Sequence, residues 1–206
     1  MKGDVFTFGP RAAFSPSKHW LAYLEGVYQW GEENGRKLDA YGFNAKVSYR
    51  LQDMLHNEFW VGYEYLSGDD PKTPENEEFN LLWGVWPRWS ELFLYLGGRG
   101  ERQATMPTNL QRVGAGWSVR PAKRLAFSLG YHAVFAAESA SGASALDPRL
   151  FSRRDNFRGH LLQAFLRCQF NRYWSSHLYG ELLFPGNFYK SDNTFSFLRA
   201  EMMFRF

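Results

Sequence analysis

Cysteine is almost absent from this sequence. Cys168 is the only one among 206 residues, so the chain cannot form an internal disulfide. A lone cysteine on an apolar strand face is usually a packing residue rather than a nucleophile. No stretch of about 18 consecutive apolar residues occurs, which excludes a transmembrane helix. The formal net charge is only +3 and no basic run appears, so the sequence gives no reason to expect a nucleic-acid partner.

Export and catalytic signatures are also missing. Residues 1–4 lead straight into a strand-like segment without the apolar region of a signal peptide. The sequence contains no Gly-x-Ser-x-Gly, phosphate-binding loop or dinucleotide fingerprint, and its five histidines show no metal-ligand spacing. Residues 67–70, Ser-Gly-Asp-Asp, begin like a calcium loop but lack its further ligands, so a solvated turn is expected. We therefore expect no enzyme activity, no cofactor and no metal.

What is abundant is period-2 alternation of apolar and polar residues. Aromatic residues make up 18% of the chain, and the mean hydropathy is −0.44. A membrane barrel has this hydropathy because every second residue of a strand faces its lumen. The clearest case is the last segment, where Arg199, Glu201, Met203 and Arg205 alternate with Leu198, Ala200, Met202, Phe204 and Phe206.

Eleven strands are predicted, many of them longer than the roughly 5–6 residues of a typical globular strand. Tilted membrane strands need about 9–11 residues, so length favours a membrane. Short turns alternate with long polar loops, as in outer-membrane barrels. The predicted fold is all-β, an antiparallel meander of a transmembrane outer-membrane β-barrel with 10–12 strands present. The predicted strands are 4–14, 20–31, 38–51, 57–66, 78–86, 91–100, 109–120, 124–136, 159–170, 174–184 and 194–206.

The phase of the apolar residues places a set of charges of both signs on the opposite face. Arg or Lys facing lipid near mid-bilayer would cost roughly 2–4 kcal/mol each, whereas a wet lumen accommodates them. The alternative interpretation is the solvated outer face of a soluble sheet. The predicted pore-lining residues are Lys46, Arg50, Glu58, Glu64, Arg112, Arg167, Glu181, Arg199 and Glu201.

Aromatic residues cluster near the predicted strand ends. Membrane barrels place Trp and Tyr at the two interfaces, although aromatics also favour strands in ordinary cores. We expect two girdles, formed by Trp20, Tyr28, Trp30, Trp83, Trp86, Trp89, Tyr173, Trp174, Phe184, Phe188 and Tyr189.

Several segments in order along the chain resemble the alginate export family of outer-membrane porins. They are Tyr28 to Gly31 (YQWG), Ala40 to Phe43 (AYGF), Gly62 to Asp70 (GYEYLSGDD), Leu125 to Ala133 (LAFSLGYHA), Gly159-His160 with Gln163, Phe184 to Phe188 (FPGNF) and the terminal Arg205-Phe206. The resemblance implies a barrel of about eighteen strands, within the range of bacterial barrels, with a charged lumen that passes an anionic polysaccharide. Residues 1–206 would form a single domain, the carboxy-terminal part of that barrel. Asn187 stands where the family often has Asp, and the lumen is mixed in charge rather than basic.

The expected function is therefore a passive outer-membrane channel of a Gram-negative bacterium for a polar, anionic carbohydrate or similar solute. Its expected partners are outer-membrane lipid and lipopolysaccharide, the solute, and the barrel assembly machinery, which would recognise the carboxy-terminal Phe206. A soluble lipocalin-like barrel that binds a small ligand is the alternative, and it would need a polar outer face. An outer-membrane enzyme is a third class, but no Ser/His pair is singled out.

Overall fold

The computed structural model describes residues 3–82, 89–96, 108–139 and 149–206. It contains ten strands and a six-residue helix: β1 (Val5–Phe8), β2 (Arg11–Phe14), β3 (Trp20–Glu33), β4 (Arg36–Arg50), β5 (Glu58–Leu66), α1 (Glu91–Leu96), β6 (Leu110–Ala122), β7 (Leu125–Phe135), β8 (Phe157–Gln169), β9 (Trp174–Pro185) and β10 (Phe195–Phe204). The strands form a single antiparallel sheet in which each pairs with its successor along the chain, except that β1 and β2 both pair with β3. The predicted all-β meander is confirmed.

β1 and β2 are two parts of one interrupted strand. They pair with β3 in a common register, Val5 opposite Gly31 and Arg11 opposite Glu25. The interruption falls at Gly9 and Pro10, and proline cannot donate a ladder hydrogen bond, which confines it to sheet edges. The interrupted strand formed by β1 and β2 is one edge of the described sheet, and β10 is the other.

The hairpin between β3 and β4 is set by Asn34 and Gly35. Their φ angles are 53° and 82°, and a two-residue turn with positive φ at both positions matches the twist of antiparallel strands. The two strands stay paired from Glu33–Arg36 to Trp20–Tyr49. Eight strands, β3 to β10, have 9–15 residues each, enough to cross the hydrocarbon of a bilayer when tilted.

Two of the eleven predicted strands are wrong. Residues 91–96 of the predicted strand 91–100 are helical, and residues 78–82 of the predicted strand 78–86 are not in a strand. The remaining residues of both predictions lie outside the described ranges. β5 instead pairs directly with β6, Leu66 opposite Leu110, so residues 67–109 form one long connection.

Long and short connections lie on opposite rims. The long ones, 67–109, 136–156 and 186–194, leave one rim, which also holds the Asn34–Gly35 turn; the short ones, 51–57, 123–124 and 170–173, lie on the other. The main hydrophobic core lies toward the long-loop rim, where Leu161 and Leu183 of the sheet pack with Phe93 and Phe188 of the connections. In the described part of the chain, no helix has the length and apolar character needed to cross a bilayer.

Candidate pore lining and the segment docked on it

The strand register divides the side chains into two faces. Residues directly opposite each other point to the same side, and neighbours along a strand alternate. One continuous row runs from Leu198 through Gly180, Ala164, Leu129 and Trp117 to Phe59. We call the side that carries this row the apolar face and the opposite side the charged face.

The apolar face leaves large hydrophobic side chains uncovered. Leu198 is 73% exposed, Phe8 66%, Met202 64% and Val61 59%. Soluble proteins rarely expose contiguous apolar patches larger than a few hundred Å². This surface suits lipid and does not suit the outer wall of a lipocalin-like barrel in water.

The expected aromatic girdles are only partly present on this face. Trp20, Tyr28, Trp30, Tyr173, Trp174 and Phe184 are exposed, but Phe188 and Tyr189 are buried in the core and Trp89 packs against it. The girdle assignment is wrong for these last three because their connections fold back onto the sheet. Trp83 and Trp86 lie outside the described residues.

All nine predicted pore-lining residues lie on the charged face. The register pairs Arg50 with Glu58 and Glu64 with Arg112, and it gives the same phase to the remaining five, Lys46, Arg167, Glu181, Arg199 and Glu201. The cross-strand partners form ion pairs, with Arg50 Nε 2.9 Å from Glu58 Oε2 and Arg112 Nη2 2.6 Å from Glu64 Oε2. Glu201 lies 3.6 Å from His177 Nε2. The face is thus mixed in sign and largely self-paired.

A hydrogen-bond network that includes the Arg112–Glu64 pair extends across five strands, β5 to β9. Arg112 Nη1 lies 3.1 Å from His132 Nδ1, and His132 Nε2 lies 2.8 Å from Gln163 Oε1. Gln163 Nε2 donates to Tyr179 Oη (2.7 Å) and to Glu181 Oε1 (2.6 Å). The sequence prediction missed His132, Gln163 and Tyr179, although their alternation phase placed them on the charged face.

Glycines on the charged face make room for two aromatic rings of this network. A Cβ on Gly116 would lie 2.4 Å from Trp60 Nε1, and one on Gly114 would lie 2.3 Å from His132 Nδ1. Trp60 and His132 therefore lie against bare backbone, with ring centroids 5.5 Å apart. Lys46 Nζ is 5.0 Å from the centre of the Trp60 ring, a distance suited to a cation–π contact.

Residues 89–93 of the long connection dock onto this network. Gln163 Nε2 donates to the carbonyl of Trp89 (2.5 Å), and Glu181 Oε2 accepts from the backbone N–H of Leu92 (2.5 Å). Arg199 Nη1 lies 2.6 Å from Glu91 Oε1. We call residues 89–93 the docked segment. It covers part of the charged face near the long-loop rim. The sequence prediction differs, because it assigned residues 91–93 to a strand and Trp89 to an aromatic girdle.

The beginning of the same connection folds against β3 and β4. Arg36 forms a bidentate ion pair with Asp69 at 2.8 and 3.0 Å, and Gln29 exchanges two hydrogen bonds of 2.7 Å with the backbone of Asn80. The Ser-Gly-Asp-Asp segment is thus tied to a strand through Arg36. Among the described residues, no three His, Cys, Asp or Glu side chains are grouped so that they could hold a metal ion.

The comparison with protein families agrees with the resemblance in the sequence. The family model described as alginate export matches residues 1–199. The chain belongs to the alginate export family. This is an outer-membrane export family, not an enzyme family, and the all-β sheet with long strands agrees with that assignment. A search of curated proteins found no match.

Membership of the alginate export family identifies a transport role but not the function of single residues. The structure adds that several charged residues of this face form ion pairs and hydrogen-bond networks, whereas Lys46 and Arg167 lie over the rings of Trp60 and Phe165.

Proposed function

We propose that this chain forms a section of the wall of an outer-membrane channel that passes an anionic polysaccharide or a similar polar solute. The observation that carries the proposal is the division of one sheet into an exposed apolar face and a charged face. In a bilayer, the apolar face contacts lipid and the charged face borders a water-filled lumen. Both sheet edges are open among the described strands, which supports a larger barrel wall completed by further strands.

The paired charges suit passage rather than tight binding. Conduction requires binding that is favourable enough to admit the solute and weak enough to release it. The guanidinium of Arg112 already has a carboxylate partner in Glu64, so an anion must compete for it. Arg50 and Glu58 form a second such pair, so the wall offers weak sites at more than one place.

The docked segment supports a selective channel rather than a wide opening. It is held by an ion pair to Arg199 and by hydrogen bonds to Gln163 and Glu181. Leu92 and Phe93 are buried beside strand residues such as Leu161. The segment therefore occupies space over the charged face and narrows the lumen near the long-loop rim.

The proposed setting is the outer membrane of a Gram-negative bacterium. The short-turn rim would face the periplasm, as in other outer-membrane barrels. Lipid and lipopolysaccharide would cover the apolar face, and the barrel assembly machinery would recognise the terminal Phe206. The docked segment and the main core would then lie toward the cell surface.

Ion selectivity of the complete channel that contains this chain, measured in planar lipid bilayers, tests the proposal. Replacing Arg112, Arg167 and Arg199 together by Gln removes three positive charges from the charged face. We expect the permeability of anions relative to cations to fall, because rings of Arg or Lys attract anions into pores. The measurement is the reversal potential under a salt gradient.

The matched control removes the same number of charges elsewhere. Arg153, Arg154 and Arg172 are exposed in connections, so their joint replacement by Gln should leave the reversal potential unchanged. Uptake of carboxylated and neutral oligosaccharides of equal length into proteoliposomes then tests the solute class. An unchanged reversal potential in the first variant, or faster uptake of the neutral oligomer, would contradict the proposal.

A further inference from the structure

A small cavity opens on the charged face at the short-turn rim. Arg50, Glu58 and Ser118 are directly opposite one another on β4, β5 and β6, and they form its wall. The 51–57 connection closes it with Gln52, His56 and Asn57, and Arg120 of β6 completes the lining. Its volume is about 290 Å³, at the lower end of the size of small-molecule sites and suited to one sugar unit rather than a chain.

The connection that closes this cavity is held in place by several hydrogen bonds. Asp53 Oδ1 accepts from the backbone N–H of Asn57 (2.8 Å), and Asn57 Oδ1 accepts from Trp117 Nε1 (2.7 Å). Arg120 donates its backbone N–H to the carbonyl of Leu55 (2.7 Å). Gln52 and His56 have φ angles of 58° and 51°, which non-glycine residues keep only where the surroundings hold them. The cavity is therefore preformed.

The cavity has more cationic donors than acidic acceptors. Arg50 uses Nε to bind Glu58 at 2.9 Å, and within the described ranges its two terminal nitrogens have no acceptor. Among the described residues, the side chain of Arg120 has no ion-pair or hydrogen-bond partner. A guanidinium presents parallel N–H donors whose spacing matches the two oxygens of a carboxylate. Two guanidinium groups thus line the cavity with one carboxylate, Glu58, while the nearby Asp53 carboxylate is engaged by Asn57.

We propose that this cavity binds one carboxylated sugar unit at the periplasmic opening of the channel. The carboxylate contacts Arg50 and Arg120, and the sugar hydroxyls bond to Glu58, Gln52 and Ser118. The inference rests on the proposed function and deepens it, because it names where an anionic chain first contacts the wall. Glu58 keeps the site weak by competing for Arg50, as an entrance site that must release its solute requires.

Binding of D-glucuronate to the complete channel in detergent micelles, followed by saturation-transfer NMR, tests the site. D-Glucose and acetate are the comparison probes, since each carries one half of the proposed ligand. We expect saturable glucuronate binding, with both comparison probes bound roughly 10-fold more weakly. D-Glucose lacks the charge-assisted hydrogen bonds of the carboxylate, and acetate lacks the hydrogen bonds of the sugar hydroxyls.

Replacing Arg120 identifies the binding residues. Arg120→Gln should weaken glucuronate binding roughly 10-fold, and Arg120→Lys should weaken it less, because lysine keeps the charge but loses the planar fork. Arg172→Gln is the matched control, an exposed arginine on the same rim outside the cavity. Circular dichroism checks that each variant is folded. If Arg120→Gln does not fold, the glucuronate affinity of Arg120→Lys is the measurement that tests the site.

Three results would overturn the inference: no glucuronate binding, equal binding of acetate and glucuronate, or binding unaffected in both Arg120 variants. If the reversal-potential experiment shows anion preference while glucuronate fails to bind, the cavity proposal alone is wrong. If glucuronate binds at Arg120 while the channel shows neither anion preference nor uptake of carboxylated oligomers, the proposed function is wrong instead.

Discussion

Glu78 is a carboxyl group in an unfavourable setting for charge. It lies in the 67–82 stretch that folds against β3 and β4. Burial, followed by the negative charges of Asp69 and Glu33, raises the pKa of Glu78 to about 7, while Arg158 acts in the opposite direction. The ordinary value is 4.5, so the folded state binds more protons than the unfolded state between these two pH values. Protonated Glu78 therefore stabilises the folded state fully below pH 4.5, and this contribution to the free energy of unfolding is lost as the pH rises through about 7.

We predict that residues 67–82 become easier to detach from the sheet as pH rises from 5 to 8. Limited proteolysis or hydrogen exchange of this stretch measures the effect. Glu78→Gln should abolish the pH dependence, because the amide stays neutral. Glu32→Gln, an exposed carboxylate at the neighbouring hairpin, should preserve it. Equal protection of residues 67–82 at both pH values in the unsubstituted protein would refute the assignment.

At the scale of strands, the glycines of β6 determine how closely aromatic rings approach the sheet. Gly116 leaves space for the Trp60 ring, whereas a Cβ at Gly26 of β3 would meet nothing within 4 Å. Both positions lie inside long strands, but Gly26 is on the apolar face, opposite Phe43, whereas Gly116 is on the charged face. A methyl group at Gly26 therefore tests strand preference where no ring is packed. The comparison separates ring packing from the general preference of strands for residues other than glycine.

We predict that Gly116→Ala lowers the stability of the folded channel by about 1–3 kcal/mol, the usual cost of overpacking a well-filled site. The Trp60 ring must move, which also disturbs its contacts with Lys46 and His132, and the carbonyl oxygen of Leu129 lies only 2.6 Å from the added Cβ. Gly26→Ala should be neutral or slightly stabilising. Urea unfolding in detergent, followed by tryptophan fluorescence, gives both values. Equal midpoints for the two variants would show that the ring does not depend on Gly116.

The helix α1 shows how local and tertiary effects replaced a predicted strand. Residues 91–96, Glu-Leu-Phe-Leu-Tyr-Leu, include Phe93 and Tyr95, which favour strands, but also one glutamate and three leucines, which favour helices. In the structure, Ser90 Oγ accepts the backbone N–H of Phe93 at 3.1 Å, an N-terminal cap, and Phe93 is buried in the core. The alternation pattern represents neither this local cap nor the contacts of Trp89 with Gln163 and of Glu91 with Arg199, which are 74 and 108 residues apart in sequence.

At the scale of the whole molecule, the described sheet is open. Its two edges are formed by β1 with β2 and by β10. Counting β1 and β2 as one strand, the sheet has nine strands that alternate in direction, so the two edge strands run parallel to each other. Bacterial single-chain barrels have even strand numbers, which lets the first and last strands pair antiparallel. Unpaired backbone groups at an edge cost several kcal/mol each in hydrocarbon.

We predict that the 206-residue chain, refolded alone in detergent, does not form a closed barrel. Its gel mobility should be the same with and without heating, and its strands should be digested by protease, because both edges remain open. The complete channel refolded in parallel is the control and should show heat-modifiable mobility. A clear mobility shift of the 206-residue chain, with protease resistance, would mean that its edges can close on each other.

The sequence by itself determined the strand class and the two faces. Side chains alternate strictly along a strand, so the phase of residues such as Leu198 and Arg199 fixes which residues share a side once the strands pair in register. That is why all nine predicted residues lie on one face. The division of the side chains between the two faces follows from local alternation alone.

Only the tertiary structure decided what covers that face and where its charges converge. The docked segment is held by partners on β8, β9 and β10, and the rim cavity joins Arg50 of β4 to Arg120 of β6. These contacts go with the direct pairing of β5 and β6, which leaves the described residues 67–82 and 89–96 in a connection that folds onto the sheet. Alternation is a local property of the chain, whereas adjacency and loop docking depend on residues that are distant in sequence.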